Sequence, residues 1–543
     1  MDSLIEQHPA SKYFKLIRNI LFAAFTLFIA FKLLSYNFNM INYPYPLEYR
    51  EGGMLLTNVA LSQGINPYAL KNQPLYTNTY GIAYNLAIYP ILKIFGTSIF
   101  VQRLLSAVFL WACCALLFVV ARRNKISILV SIASILLFYA HTLYPSTTTA
   151  HPGPHSFGIL MYLCTLFIPY LCNYSRLSLI LSILLGLIAL YAKLYFVLGI
   201  PILALYLFLF VSKRKGLFYG LIFLAVLIPS IILMQKIFHA YFTNTFFTVM
   251  TAQQLYFQYA LIQFAYFIKV NMYIFILLVL SAIVYITTHL KQKKNSIPVV
   301  EKRGTTINWL NFDTPLINHS ADFINFCLIT SSLIILLKFG QHHGSWMAYF
   351  FQLISPFFVI FIARALSMRF TWETLLMIGL SVNLYTLSTQ ELAVMKEPLT
   401  QKQWEFLREL IRTHENILNS PAVVPIMIEM NRIIVDTGQN ESFRDGVMRH
   451  WIFKYFATKI PSASDQSAYY VDPLYLKKYL DYQEAIHKSI REKQYDLLLI
   501  NRDHPIWISD QPLEPFYELK GEIYIEMPFA RQHWILQAWV PKR

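Results

Sequence analysis

Carboxylates are scarce in residues 1–395: Asp2, Glu6, Glu48, Glu51, Glu301, Asp313, Asp322, Glu373 and Glu391 are all of them. Two share the segment Pro46-Leu-Glu-Tyr-Arg-Glu-Gly-Gly53. Acids three residues apart can sit on one face of a helix start. One can take the proton of a reacting hydroxyl while the other orients it or holds a cation. The spacing also suits a plain structural role, because acids favour the positive N-terminal end of a helix.

A second group is cationic. Arg50, Arg103, Lys193, Lys269 and Lys338 stand at or just inside the ends of apolar stretches. Ionisable groups there are costly and are functional suspects by default. A phosphate at a membrane surface is the anion such a group would hold. The alternative is that each long side chain snorkels to lipid headgroups. Histidines join them: His141, His151 and His155 in one expected loop, His342 and His343 in another. His151-Pro-Gly-Pro-His155 can offer metal ligands or hydrogen bonds to a sugar, but no third ligand stands at zinc spacing. The metal is therefore left unassigned. Tyr43, Tyr45, Tyr49, Tyr68, Tyr76, Tyr80 and Tyr84 crowd one segment, as a membrane-interface belt would, and a few can stack on sugar faces.

The elements that must position these residues are membrane helices. Of 543 residues, 56% are hydrophobic and only 14% charged, which excludes one ordinary soluble domain and a disordered chain. Apolar stretches of about 20 residues recur from Leu16 to Gln390, the mark of a polytopic α-helical membrane protein. The expected spans are 16–36, 99–121, 126–144, 156–172, 177–192, 194–211, 217–238, 266–287, 320–338, 348–365 and 373–390, about eleven in all. Ile82–Phe95 is set apart as an amphipathic helix lying at the interface, within an outer loop of about 37–98. Basic clusters at Arg122-Arg123-Lys125, Arg176, Lys213-Arg214-Lys215, Lys291 to Arg303, and Arg364 with Arg369 are separated by even numbers of spans. They set a cytoplasmic N-terminus; the cytoplasmic (inner) membrane is the expected location. The odd span count puts residues 396–543 outside the cytoplasm. Only Glu48, Glu51 and Glu391 of the nine acids then face outward.

The formal charge of +16 does not point to nucleic acid. Residues 396–543 hold 19 basic and 20 acidic residues, so the excess belongs to the membrane half, where it sets orientation. That tail is a different material from residues 1–395. Gln401–Asn416 and Tyr475–Lys493 read as helices, Tyr495–Ile500 as a buried strand, and Glu518–Val540 as one or two more. A small extracytoplasmic α/β domain is expected. Lys291–Asn318, without an apolar period, reads as a mobile cytoplasmic connection. The five cysteines read as small core residues with no disulfide framework.

At these residues the chain resembles the polytopic glycosyltransferases of the GT-C fold, of the bacterial protein-mannosyltransferase and lipid A aminoarabinose-transferase type. Glu48-Tyr-Arg-Glu51-Gly52 followed by Leu61-Ser-Gln-Gly-Ile-Asn-Pro-Tyr68 is similar to the family's acidic motif and its helix. Asn78-Thr-Tyr80-Gly-Ile-Ala-Tyr84-Asn85 with Phe95-Gly96 is similar to its juxtamembrane helix, and Arg103-Leu-Leu-Ser106 to the start of its second span. Ala192-Lys193-Leu-Tyr-Phe196, and Trp346-Met-Ala-Tyr349-Phe350 with Pro356, are similar to later landmarks of the family. The resemblance implies a polyprenyl-phosphate sugar donor and a glycan, lipid or protein acceptor. It implies transfer on the outer face by a single inverting displacement. Its implied catalytic carboxylate is Glu51 or Glu48, because the family's Asp-Glu is Arg50-Glu51 here; Glu51-Gly52 is the better match to the motif, while Glu48 leads it as the family's first acid does. Arg103, Lys193 and Lys338 would hold the leaving phosphate. Arg50, Tyr80, Tyr84, His151, His155, His342 and His343 complete the expected substrate-binding set. No cofactor is required, though a divalent cation can assist. The competing reading is a transporter or flippase of a lipid-linked saccharide, which would use the same cations and aromatics without chemistry. No pair of matching interrupted helices marks it.

Overall fold

The structure is a computed structural model. It describes residues 9–143, 153–247, 257–280, 312–317, 321–338, 341, 350–366, 370–391, 398–436, 473–503, 511–527 and 532–543. The chain begins as a succession of apolar helices: α1 (Pro9–Asn42), α2 (Arg50–Ser62), α3 (Ala83–Phe95), α4 (Ile99–Arg123), α5 (Ile128–Leu143), α6 (Pro154–Leu171) and α7 (Arg176–Ala192). A span from Leu194 to Val211 follows, a 3-10 turn leading into α8 (Gly199–Tyr206) and a closing π turn. Then come α9 (Lys213–Ile237), α10 (Phe257–Val270), α11 (Met272–Leu280), α12 (Phe323–Leu337), α13 (Ser355–Leu366) and α14 (Phe370–Glu391).

Short polar residues start several of these helices, as their capping chemistry predicts. Ser98 accepts from the Val101 amide, Ser175 from Ser178, Ser212 from Lys215 and Asp322 from Asn325. Every expected span overlaps one of the helices. Among the described residues five helices are long and apolar enough to cross a membrane, or six if α10 and α11, bent by 83°, form one span. The others, including α5, α7 and α12, are apolar but shorter. The bundle core is continuous and rich in aromatic contacts, with Tyr162, Phe167, Phe323 and Phe357 packed edge to face and tilted. α3 buries Tyr84, Asn85, Ile88 and Leu92 and leaves Leu86, Ile94 and Phe95 exposed, which suits a helix lying along an apolar surface.

Residues 398–543 build a small α/β unit from α15 (Pro398–Thr413), α16 (Val424–Glu429), α17 (Pro473–Arg491) and a four-stranded sheet. The sheet order is β1 (Ile417–Leu418), β2 (Leu497–Asn501), β4 (Gln532–Pro541), β3 (Tyr517–Met527). β1 runs parallel to β2, and β4 antiparallel to both β2 and β3, with a register shift between Leu519 and Gly521. β2 is buried along its whole length, as its unbroken Leu-Leu-Leu-Ile run requires.

This unit is not detached from the helices before it. Tyr45 and Leu56 share a core cluster with Trp404, Val424 and Ile525. Tyr45 stacks on Trp404 at 5.7 Å between ring centroids and Tyr49 on Trp534 at 5.5 Å. The expected interface belt is therefore corrected at several tyrosines. Tyr45 and Tyr49 dock the C-terminal unit, Tyr68 packs against Phe238 and Tyr241, and Tyr84 lies in an apolar cluster. Ring area is buried more effectively against protein than at a wet interface. The described piece of the supposedly mobile connection, 312–317, is docked too. Phe312 and Thr314 carbonyls accept the Arg214 and Lys213 amides. Cys172 is exposed at the end of α6, unlike the buried Cys113 and Cys327.

Candidate active site

Glu48 and Glu51 are both buried, at 1% exposure each, and each has taken a different arginine. Glu51 lies in the first turn of α2. It receives Arg103 from α4 in a fork: Nε to Oε1 at 2.9 Å and Nη2 to Oε2 at 2.7 Å. The Leu47 amide adds a third bond to Oε2 at 2.8 Å. Arg103 gives its remaining N–H groups to the carbonyls of Met40, Tyr43 and Tyr45. All five guanidinium donors are thereby committed to the protein. Arg103 keeps none for a phosphate, so its expected role is corrected: it ties α4 to the end of α1 and the start of α2.

Glu48 is different. It pairs with Arg50, only two residues away, through Oε1 to Nε, and Oε2 accepts the Arg50 amide at 3.1 Å. Burial raises its pKa above the ordinary carboxylate value, against the lowering effect of Arg50. Arg50 is 32% exposed and continues outward. It donates from Nη1 to the Tyr80 hydroxyl at 3.3 Å and lies over the Tyr49 ring.

Tyr80 gathers a second cation. Lys193 Nζ stands 5.1 Å from the Tyr80 ring centroid and 5.0 Å from that of Tyr195. Lys193 occupies the extended link between α7 and the Leu194–Val211 span. Burial, reinforced by Arg50, pulls its ammonium down to about 7. The approach of the two segments depends on Gly81. Its amide bonds the Ala192 carbonyl at 3.1 Å, and a Cβ there would come within 1.9 Å of the Tyr191 carbonyl oxygen. Any larger residue would push the Tyr80 segment off the end of α7.

Behind Lys193 the polar wall continues. The Tyr195 hydroxyl donates to Gln352 Oε1 at 2.7 Å and lies 3.5 Å from His155 Nδ1, and the His155 ring meets Tyr80 edge-on at 5.8 Å. Gln352 was not singled out in the sequence, and Tyr195 entered only as part of the Ala192–Phe196 motif, with no role. The Tyr195 hydroxyl reaches a π turn 157 residues away, a pairing no local pattern announces.

Other expected site residues lie elsewhere. Tyr84 is fully buried against Phe109 and Phe157, with its hydroxyl 3.3 Å from Ser106 Oγ, a packing position. His141 is not in a loop. It sits inside α5, bonded to Ser355 at 2.7 Å and Asn271 at 3.0 Å, where buried polar groups need such partners. Lys338 caps α12, half-buried, and Lys269 is exposed in the last turn of α10. His151, His342, His343, Trp346 and Tyr349 fall outside the described residues, as does the side chain of Glu391. Among the described residues no group of three or more His, Cys, Asp or Glu converges as a metal site.

The cluster therefore presents two cations, Arg50 at the hydroxyl of Tyr80 and Lys193 by its ring, against the single carboxylate of Glu48. Such a surplus favours a singly or doubly charged anion.

No family model and no curated protein matches the chain. Among solved structures it is similar to the crystal structure of ArnT from Cupriavidus metallidurans bound to undecaprenyl phosphate. The identity is 10% and the TM-score 0.47, over 94% of this chain and 97% of that one. A likeness this loose assigns no residue a role.

Proposed function

We propose that the chain is a membrane glycosyltransferase that moves a sugar from a polyprenyl-phosphate donor to a hydroxyl acceptor at the outer face of the membrane. The observation that carries the reading is the surplus of positive charge around Tyr80 beside a buried, proton-hungry carboxylate. A leaving phosphate needs the first and an attacking hydroxyl needs the second. The order of motifs from Glu48 to Phe196, which resembles the GT-C glycosyltransferases, supports it independently.

In this mechanism the donor phosphate lies between Arg50 and Lys193. Glu48 takes the proton of the acceptor hydroxyl, whose oxygen bonds the anomeric carbon as the sugar–phosphate bond breaks. Polyprenyl phosphate leaves with the bonding electrons, held by the same two cations. Glu51 and Arg103 are positioning residues that fix the start of α2. No cofactor is invoked. Sugar and acceptor are read from what accumulates: mass spectrometry of membrane lipids after loss of the protein should show a build-up of one polyprenyl-phosphate sugar. An unchanged pool of such lipids would contradict the donor class.

A further inference from the structure

Away from this site, the starts of α7 and α9 flank a groove of 640 Å³. Its rim carries Arg176, Arg214 and Lys215, and its wall Ile180, Phe218 and Ile222. Those three apolar side chains are 54%, 52% and 46% exposed. The one carboxylate at the rim, Asp313, lies 3.5 Å from Arg214. The side chains of Arg176 and Lys215 make no hydrogen bond or ion pair among the described residues. The α9 start is itself satisfied: Ser212 Oγ takes the Lys215 amide, and Thr314 and Phe312 carbonyls take those of Lys213 and Arg214. Attraction at the groove therefore comes from side-chain charge and not from open helix amides.

We propose that this groove is a binding site for an anionic diacyl glycerophospholipid of the leaflet that meets the basic loops. Its phosphodiester sits between Arg176 and Lys215, and an upper acyl chain runs along Ile180, Phe218 and Ile222. Guanidinium and ammonium groups beside a helix bundle select anionic headgroups. The lipid-facing apolar wall excludes a merely soluble anion as the best fit, because it would leave that wall uncovered. A zwitterionic headgroup brings an ammonium that the two unpaired cations repel. The inference is independent of the transferase reading and would stand with a transporter.

The test uses the full chain, purified and delipidated in a neutral detergent. Phosphatidylglycerol and phosphatidylcholine with the same acyl chains are titrated in, and bound lipid is counted by native mass spectrometry. Phosphatidylglycerol should bind at least about ten-fold more tightly. The double variant Arg176→Ala, Lys215→Ala should bring it to the phosphatidylcholine level, whereas Lys236→Ala at the far end of α9 should not. Glycerol phosphate at the same concentration should fail to displace it. Equal affinity for the two lipids, an unchanged preference in the double variant, or displacement by glycerol phosphate would each overturn the proposal. Far-ultraviolet circular dichroism and gel filtration of the variants separate lost binding from lost folding, and Ile222→Ser, which makes the wall polar without adding charge, should also weaken binding.

Discussion

Three residues separate Glu48, just before α2, from Glu51 in its first turn, and the arginine each meets decides what its carboxylate can do. Glu51 accepts three hydrogen bonds and faces an arginine with no free donor, so its chemistry is structural. Removing one partner of such a buried pair leaves the other charged and unpaired, at about 3–5 kcal/mol. Arg103→Ala should therefore lower the thermal unfolding midpoint in detergent sharply, whereas Lys193→Ala, at a half-buried link, should barely move it. At the candidate site the pH profile follows from two shifts. Glu48 is raised by burial, so the base is lost as pH falls through a value above the ordinary carboxylate range. Lys193 is held near 7, so phosphate binding weakens as pH rises through neutrality. The pH dependence of kcat/KM should be a bell. Lys193→Arg should extend its alkaline limb, because a guanidinium stays charged. An alkaline limb unmoved in that variant would remove Lys193 from the phosphate site. Counting rare acids in the sequence reaches Glu48 and Glu51 but cannot divide their roles. The partner that disables Glu51 as a base is 52 residues away, while Arg50 is two residues from Glu48.

At the scale of elements, two glycines set the approach of segments to the site. Gly81 lets the Tyr80 segment lie on the last turn of α7. Gly81→Ala should displace Tyr80 from Lys193 and weaken donor binding about ten-fold or more, measured with polyprenyl phosphate, without unfolding the bundle. Gly52 lets α2 meet α16: a Cβ there would stand 2.6 Å from Val424 Cβ. Helix positions were legible because apolar length and Ser or Asp caps are local signals. The expected helices 401–416 and 475–493 fall within a few residues of α15 and α17. Span number was not, since composition does not say whether a 16-residue apolar helix such as α5 crosses alone or leans on neighbours. β1, two residues long, carries no period to read.

At the scale of the molecule, the C-terminal unit is packed onto the helix that carries Glu51, through Tyr45–Trp404, Tyr49–Trp534 and the α2–α16 contact. Its α/β composition was legible from the sequence, but its docking was not, because Tyr45 and Tyr49 look the same in a belt as in an interface. If this face is extracytoplasmic, an impermeant thiol reagent should label a cysteine placed at Ser464 in intact cells and spare one at Ser296, in a Cys172→Ser background. The reverse pattern would invert the assignment of Glu48 to the outer face. The central claim, that Glu48 removes a proton during sugar transfer, is tested most directly by release of polyprenyl phosphate. Purified protein is given the lipid-linked sugars and acceptors of its native membrane, and free polyprenyl phosphate is quantified by mass spectrometry. Glu48→Gln should cut turnover by about 10² or more with donor binding retained, and Glu51→Gln should act through stability. Turnover by folded Glu48→Gln at the wild-type rate would contradict the mechanism, and no release by the wild type would favour a transporter.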